Sequence, residues 1–373
     1  MCPPPTAVAP PTPPPPPPVE ARGRLKPAAW DEIPDWGREA LRPSVDAFLK
    51  SCTVLAKQAA WKGVCAGAES LPADVPEADI AAFFQLNFDA WSVVNPDDSS
   101  TGMVTGYYEP LLRGSRTRSD RFRYPIYAVP KDLLTIDLSS VYPDLKNRRL
   151  RGRVEGNRVV PYLSRGDIDQ AQAAPLAGSE IVWVDDAIDL FFLHIQGSGQ
   201  VELENGERLR VGYADQNGYP FRSLGRKLID AGEIAPERAS MQGIKDWARR
   251  NPKRVQDFLN ANPSYVFFRV LPNDLSGPLG ALGVPLTAQR SIAVDPRVVP
   301  LGVPVYLATT WPNTSDPLER LMMAQDTGGA IAGGVRADFF WGFGDDAGAQ
   351  AGKMRQSGRM WVLLPKGFPP LVP

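Results

Sequence analysis

The residues best able to do chemistry cluster in Ala324-Gln325-Asp326-Thr327-Gly328-Gly329-Ala330-Ile331 and Arg336-Ala337-Asp338-Phe339-Phe340-Trp341. Asp326 and Asp338 stand 12 positions apart across a glycine-rich turn, and three consecutive aromatics follow the second carboxylate. Glycine permits positive φ and close backbone approach. A carboxyl beside Phe and Trp loses hydration, which disfavours the anion and raises its pKa. Such an acid is suited to protonating a glycosidic oxygen, and neighbouring rings are suited to stacking on sugar faces. The competing reading is structural: the glycines are turns of a tight barrel and the acids cap loops. A P-loop is not expected, because no Gly-Lys-Ser/Thr follows the glycines.

Two further clusters carry polar groups among aromatics. In Thr105-Gly106-Tyr107-Tyr108-Glu109-Pro110, a strand would turn Tyr107 and Tyr108 to opposite faces, so one can line a groove while the other packs. In Phe191-Phe192-Leu193-His194-Ile195-Gln196-Gly197-Ser198-Gly199, an apolar run reads as a strand that ends in a polar turn. His194 alternates with Phe192 there and reads as a core histidine rather than a base. Ser198 is a poor nucleophile candidate: a Gly-x-Ser-x-Gly elbow needs glycine where Gln196 and Gln200 stand.

The elements that must position these residues change character along the chain. Residues 20–95 read mostly helical, with Pro43–Gln58, Trp61–Ala68 and an aromatic stripe over Glu77–Trp91. Strand character begins at Gly102 and recurs over Ile181–Glu204, where Asn205-Gly206 marks a hairpin. Helices return at Phe221–Ala231, Ser240–Arg250 and Pro252–Asn260. Strands are expected again at Tyr265–Leu271, Arg290–Val294, Val303–Thr309, Leu321–Gln325 and Met360–Leu364. This is a mostly β, α+β pattern, because strands do not alternate regularly with crossover helices. It suggests a β domain inserted between two halves of a main domain: a proline-rich linker over 1–19, the first part of the main domain over 20–110, the insert and return helices over 111–262, and the remainder over 263–373.

Composition excludes several chemistries. With 41 Lys+Arg against 42 Asp+Glu, the chain is no polycation for nucleic acid. A single histidine rules out a two-histidine zinc site, and three cysteines without a C-x-x-C pair rule out cysteine zinc ribbons and thioredoxin-like chemistry. No metal or cofactor is expected. Residues 111–165 hold 13 Lys/Arg against 5 acids, a solvated face or a surface that meets an acidic polymer. Cys52 and Cys65 either bridge two adjacent helices or remain two buried thiols. Cys2, ahead of 11 prolines within residues 3–18, is either an incidental thiol or a lipid-bearing cysteine on a stalk.

The motifs Thr-Gly-Tyr-Tyr-Glu-Pro (105–110), Gln-Gly-Ser-Gly (196–199), Phe-Arg-Ser-Leu-Gly (221–225), Asn-Pro-Ser-Tyr-Val-Phe-Phe (262–268) and Asp-Thr-Gly-Gly-Ala-Ile…Asp (326–338) resemble the membrane-bound lytic murein transglycosylase A family. The resemblance spans roughly residues 40–365, and its C-terminal part is similar to the 3D module, whose three aspartates match Asp295, Asp326 and Asp338. It implies a double-psi β-barrel with a smaller inserted β domain and a glycan groove between them. It implies cleavage of the β-1,4 bond between N-acetylmuramic acid and N-acetylglucosamine with formation of a 1,6-anhydromuramyl end. Asp338 would be the acid/base, Asp326 its support and Asp295 a loop-fixing residue. Gln196, Gly197, Ser198, Tyr107, Tyr108, Thr105, Phe340 and Trp341 would contact the glycan. The implied partner is peptidoglycan, with no nucleic acid, and the protein is expected to be a monomer. The implied location is the periplasmic face of the outer membrane, with membrane contact only through lipid on Cys2. The alternatives are an inverting peptidoglycan or glucan hydrolase using both aspartates, and a non-catalytic cell-wall binding protein.

Overall fold

The computed structural model describes residues 22–145, 150–171 and 176–368. Cys2 and the proline run lie outside them. In chain order, β1 (Arg24–Ala28) precedes helices α1 (Arg42–Leu55), α2 (Ala59–Glu69) and α3 (Glu77–Asn87), then β2 (Phe88–Val94) and β3 (Gly102–Glu109). Next come β4 (Leu111–Ser115), β5 (Tyr124–Tyr127), β6 (Leu134–Thr135), β7 (Arg151–Glu155), β8 (Arg158–Pro161), α4 (Arg165–Ala171), β9 (Glu180–Val184), α5 (Ala187–Gln196), β10 (Ser198–Leu203) and β11 (Arg208–Gln216). Helices α6 (Leu224–Asp230), α7 (Met241–Arg250) and α8 (Val255–Leu259) lead to β12 (Val266–Leu271). The chain ends with β13 (Ser291–Val294), β14 (Pro304–Thr310), β15 (Pro317–Asp326), β16 (Arg336–Phe343), α9 (Gly344–Ala351) and β17 (Arg355–Pro365).

Six strands close on themselves. β17, β14, β15, β13, β16 and β3 are hydrogen-bonded in that order, and β3 pairs back to β17. Closure leaves no open edge within the ring, while β2 and then β1 extend outward from β17. Helix α1 forms because Pro43 pre-sets its first turn and Val45, Phe48, Cys52 and Leu55 line one buried stripe at helical spacing. That stripe packs, with Trp61, Phe84 and Phe88, into one core with ring residues such as Met322 and Trp361. Cys52 and Cys65 are disulfide-bonded between α1 and α2.

The chain leaves the ring at the end of β3 and builds a second sheet in the order β12-β11-β10-β4-β9-β5, with a small third sheet, β6-β7-β8. The second sheet has its own core, which includes Val182, Val201, Val211 and Phe268. α5 to α8 contribute to another, around Phe191, Trp247 and Phe258.

Three sequence expectations change. Phe88 and Trp91 are not on the helix stripe, because β2 begins at Phe88, where pairing with both β1 and β17 overrides the helical pattern. Residues 187–196 are a helix, not a strand. Six of these ten residues are buried, so neither period shows in the sequence. The signals that mark it are its caps: the Asp186 side chain accepts from the Ile188 and Asp189 amides, and Gly197 ends it at φ 77°. Finally, β12 is the edge of the insert sheet, so the expected boundary at 262/263 falls too early.

Candidate active site

Strand register assembles the two carboxylates. Ala293 on β13 is the ladder partner of Asp326 on one side and Asp338 on the other. On the far side of β16, Asp338 pairs with Thr105 and Phe340 with Tyr107 of β3. Ladder partners share a face, and alternate residues of a strand return to it. Thr105, Tyr107, Ala293, Asp326, Arg336, Asp338 and Phe340 therefore share one surface. Four elements separated by up to 233 positions meet there.

The β13–β15 register slips by one residue at Gln325, a bulge of the kind that re-aims a neighbouring side chain. Gln325 is fully buried and holds the bulge: its Nε2 donates to Ala47 O and Ser51 Oγ of α1, and its Oε1 accepts from Ser291 Oγ. The next residue, Asp326, is turned to the site.

The two carboxyls differ in what occupies their oxygens. Asp326 Oδ1 accepts from the Ala281 and Thr327 amides, both at 2.9 Å, and Oδ2 accepts from Tyr107 Oη at 3.0 Å. Burial nevertheless pushes its pKa up to about 6; the three donors pull it down and the nearby Asp338 adds to the rise. Asp338 Oδ1 accepts from Thr105 Oγ1 at 2.6 Å, and among the described residues no hydrogen bond reaches Oδ2. Burial raises the Asp338 pKa as well, opposed by the Thr105 hydrogen bond and the Arg336 guanidinium. Burial, and not the like charge of Asp326, drives that rise.

Asp295, just past β13, is buried and its carboxylate bonds locally. Oδ1 accepts from Arg297 N and Nε, and Oδ2 from Arg297 Nη2 and from Gly333 N at 2.9 Å, tying the end of β13 to the glycine-rich turn.

The aromatics divide by strand alternation. Phe340 and Tyr107 lie under the site with ring centroids 5.1 Å apart, and both are buried. They form its floor. Trp341 is a correction: with Ala337 and Phe339 it faces the opposite core and donates its indole N–H to Met354 Sδ. Tyr108 likewise faces that core, its hydroxyl on Met241 Sδ at 3.1 Å. Tyr108 also serves the junction with the insert through its backbone amide, which donates to Gln196 Oε1 at 3.0 Å. Gln196 is thus brought against β3. Gly197 supplies the left-handed turn after α5, and Ser198 is the buried first residue of β10. Among the described residues, no hydrogen bond joins Ser198 to either carboxylate. His194 is buried in the insert with Nδ1 on Arg165 Nη2 at 2.8 Å and its ring stacked on Phe268. Burial and the Arg165 charge hold it neutral.

Two groups at the site escaped the sequence reading. The Ala281 amide comes from a loop with no local signature. Arg336 was legible in principle, because on a strand it shares the face of Asp338 two residues on. The excess charge of 111–165 is partly spent internally: Arg116 pairs with Glu207, Arg121 with Asp185, Arg151 with Asp215 and Arg153 with Glu155. Among the described residues, no group of three or more His, Cys, Asp or Glu is gathered as metal ligands would be. No helix there is long and apolar enough to cross a membrane.

Known proteins match both parts of this architecture. Residues 103–269 match the MltA specific insert domain, and residues 290–364 match the 3D domain. Membrane-bound lytic murein transglycosylase A of Escherichia coli strain K12 is 33% identical over 287 residues, 75% of this chain and 70% of that protein. The crystal structure of MltA from Neisseria gonorrhoeae superposes with a TM-score of 0.79 at 39% identity, covering 93% of this chain and 94% of the other. The structure of E. coli MltA with bound chitohexaose has a TM-score of 0.66 at 27% identity, over 86% and 90% of the two chains. Similarity of this extent runs through ring and insert alike, and the chain belongs to the membrane-bound lytic murein transglycosylase A family.

Proposed function

We propose that Asp338 performs both proton transfers of a lytic transglycosylase reaction on peptidoglycan. The chain is a lytic murein transglycosylase, and the reaction needs a carboxyl that is protonated at the start and basic afterwards. Protonated Asp338 gives its proton to the oxygen linking muramic acid C1 to the leaving N-acetylglucosamine. The C1–O bond breaks, and the muramyl 6-hydroxyl closes on C1. The resulting carboxylate takes the 6-hydroxyl proton, so the acid is regenerated and no water is consumed. The observation that carries this assignment is the asymmetry of the two carboxyls. Three donors occupy both oxygens of Asp326, whereas Asp338 receives one, on Oδ1. Burial raises both pKa values, which favours the protonated starting form. The same occupancy leaves Asp326 poorly placed as the base of an inverting hydrolase.

The closed six-stranded ring supports a double-psi β-barrel, and the meeting of Gln196 with β3 supports a glycan groove between ring and insert. The E. coli relative's name and its partner chitohexaose support glycan binding here. Lipid on Cys2 at the outer membrane and a monomeric state complete the reading. Mass analysis of products from purified sacculi tests it: anhydromuramyl ends are one water lighter than reducing ends, and release of reducing ends alone would refute it. Asp338→Asn should abolish cleavage, a loss of at least about 10²–10⁴-fold from general acid–base help alone, while sacculus binding survives. Asp326→Asn should lose less. The reverse order of the two variants would exchange their roles.

A further inference from the structure

Arg336 lies on the same face of β16 as the reacting carboxyl and is bonded to it through one intermediary. Its Nη2 donates to Thr105 Oγ1 at 2.9 Å, and Thr105 Oγ1 lies 2.6 Å from Asp338 Oδ1. The guanidinium is held by Nη1, which donates to Ala337 O at 2.6 Å and Met103 O at 3.2 Å. A guanidinium can only donate, and a hydroxyl has one proton. The Thr105 oxygen must therefore accept from Arg336, and its single proton is directed at Oδ1.

We propose that Arg336 is a positioning residue for this reaction: it sets the direction of the Thr105 hydroxyl, which marks Oδ1 of Asp338 as acceptor and leaves Oδ2 to exchange protons with the glycan. The proposal rests on Asp338 being the acid/base. Without the guanidinium, the hydroxyl rotor is free and the acidic proton can settle on either oxygen. Thr105, expected from the sequence to touch the glycan, is on this view a relay.

Among the described residues, few groups surround Asp338. β3 contributes Thr105 and the Tyr107 hydroxyl, and β16 contributes Arg336. β13 contributes the uncharged Ala293, and β15 contributes Asp326. Arg355 of β17 stands opposite Thr105 in the ladder but is solvent-exposed. Arg336 and Thr105 are thus the groups opposing the burial that raises the Asp338 pKa.

The test measures cleavage of sacculi against pH with the full chain, for wild type and for Arg336→Met, Thr105→Val and their double variant. Sacculus binding and thermal midpoint are measured in parallel. Each single variant should lose about tenfold in rate, the worth of one hydrogen bond to a charged group, with binding unchanged. The alkaline limb should move to higher pH in both, because a carboxylate that loses a donor or a cation holds its proton more tightly. The double variant should be no slower than Thr105→Val, because Arg336 acts through that hydroxyl. Arg336→Lys should return the limb toward wild type, and Thr105→Ser should recover most of the rate lost in Thr105→Val. Arg336→Met also frees two carbonyls, so Thr105→Val, which leaves them bonded, guards against a folding artefact. An unshifted limb, or losses that multiply to about a hundredfold in the double variant, would overturn the proposal. Activity in Asp338→Asn would instead overturn the acid/base assignment itself.

Discussion

Asp326 and Asp338 are two carboxyls of similar burial and different occupancy, and the difference follows from their neighbours. Backbone amides cannot be removed by a side-chain change, so Asp326 keeps two donors whatever happens to Tyr107. Its raised pKa has a consequence for stability. A carboxyl whose folded pKa exceeds its unfolded value stabilises the fold fully below the unfolded value and loses that contribution as pH rises through the folded one. For Asp326 the window runs from 3.8 to about 6. Asp326→Asn, which carries no charge, should therefore raise the thermal midpoint at pH 8 relative to wild type, and the gain should vanish near pH 4. Calorimetry across that range checks the sign. A variant less stable than wild type at pH 8 would mean the three donors outweigh desolvation.

The pairing of β3 with β16 is what holds the site face together, and it depends on a missing side chain. A Cβ at Gly106 would stand 2.6 Å from Trp341 Nε1 and 2.9 Å from Ala351 Cα. Gly106→Ala should cost about 1–3 kcal/mol through overpacking and lower activity as Thr105 shifts. A denaturation midpoint within error of wild type would show that β16 and α9 can yield. Helix α1 supports the site from behind, through Ala47 and Ser51 on the Gln325 bulge. The adjoining Cys52–Cys65 bridge spans only 13 positions, so its removal should cost about 3 kcal/mol at most. Replacing both cysteines by alanine should lower the thermal midpoint yet leave sacculus cleavage at 25 °C, because Val45 and Phe48 still seat α1. Loss of cleavage at full fold would assign the bridge a role at the bulge.

Ring and insert are joined by a buried charge. Glu109, 1% exposed at the end of β3, accepts from Gln200 Nε2 at 3.0 Å and pairs with Arg210 Nε at 3.2 Å. Arg210 also donates to Leu275 O and Gly277 O, where the chain returns to the ring. One cluster thus ties both crossings between the parts. Arg210→Met should destabilise by about 3–5 kcal/mol, because it leaves a carboxylate buried without its cation. Glu109→Gln in the same background should recover part of that loss by removing the stranded charge. A mild effect of Arg210→Met, measured by chemical denaturation, would show that water reaches Glu109.

Local chemistry was legible in the residues alone. The pairing of Asp326 with Asp338 across a glycine-rich turn, the two-faced pair Tyr107 and Tyr108, the stripe of α1 and most strands of the ring follow from spacing and composition, whereas Asp295 is singled out only by the family resemblance. What needed three dimensions was decided by partners far away in the chain. α5 is buried on most sides, so its helical period is hidden in an apolar run. Trp341 and Phe340 are adjacent and both aromatic; alternation puts Phe340 on the face of Asp338 and Trp341 on the core once the segment is a strand, and its pairing with β3 and β13 is what makes it one. How the oxygens of the two carboxyls are occupied depends on the Ala281 amide, the Tyr107 hydroxyl and the Thr105 hydroxyl. No spacing rule links these groups, because a closed ring brings strands together by pairing and not by order.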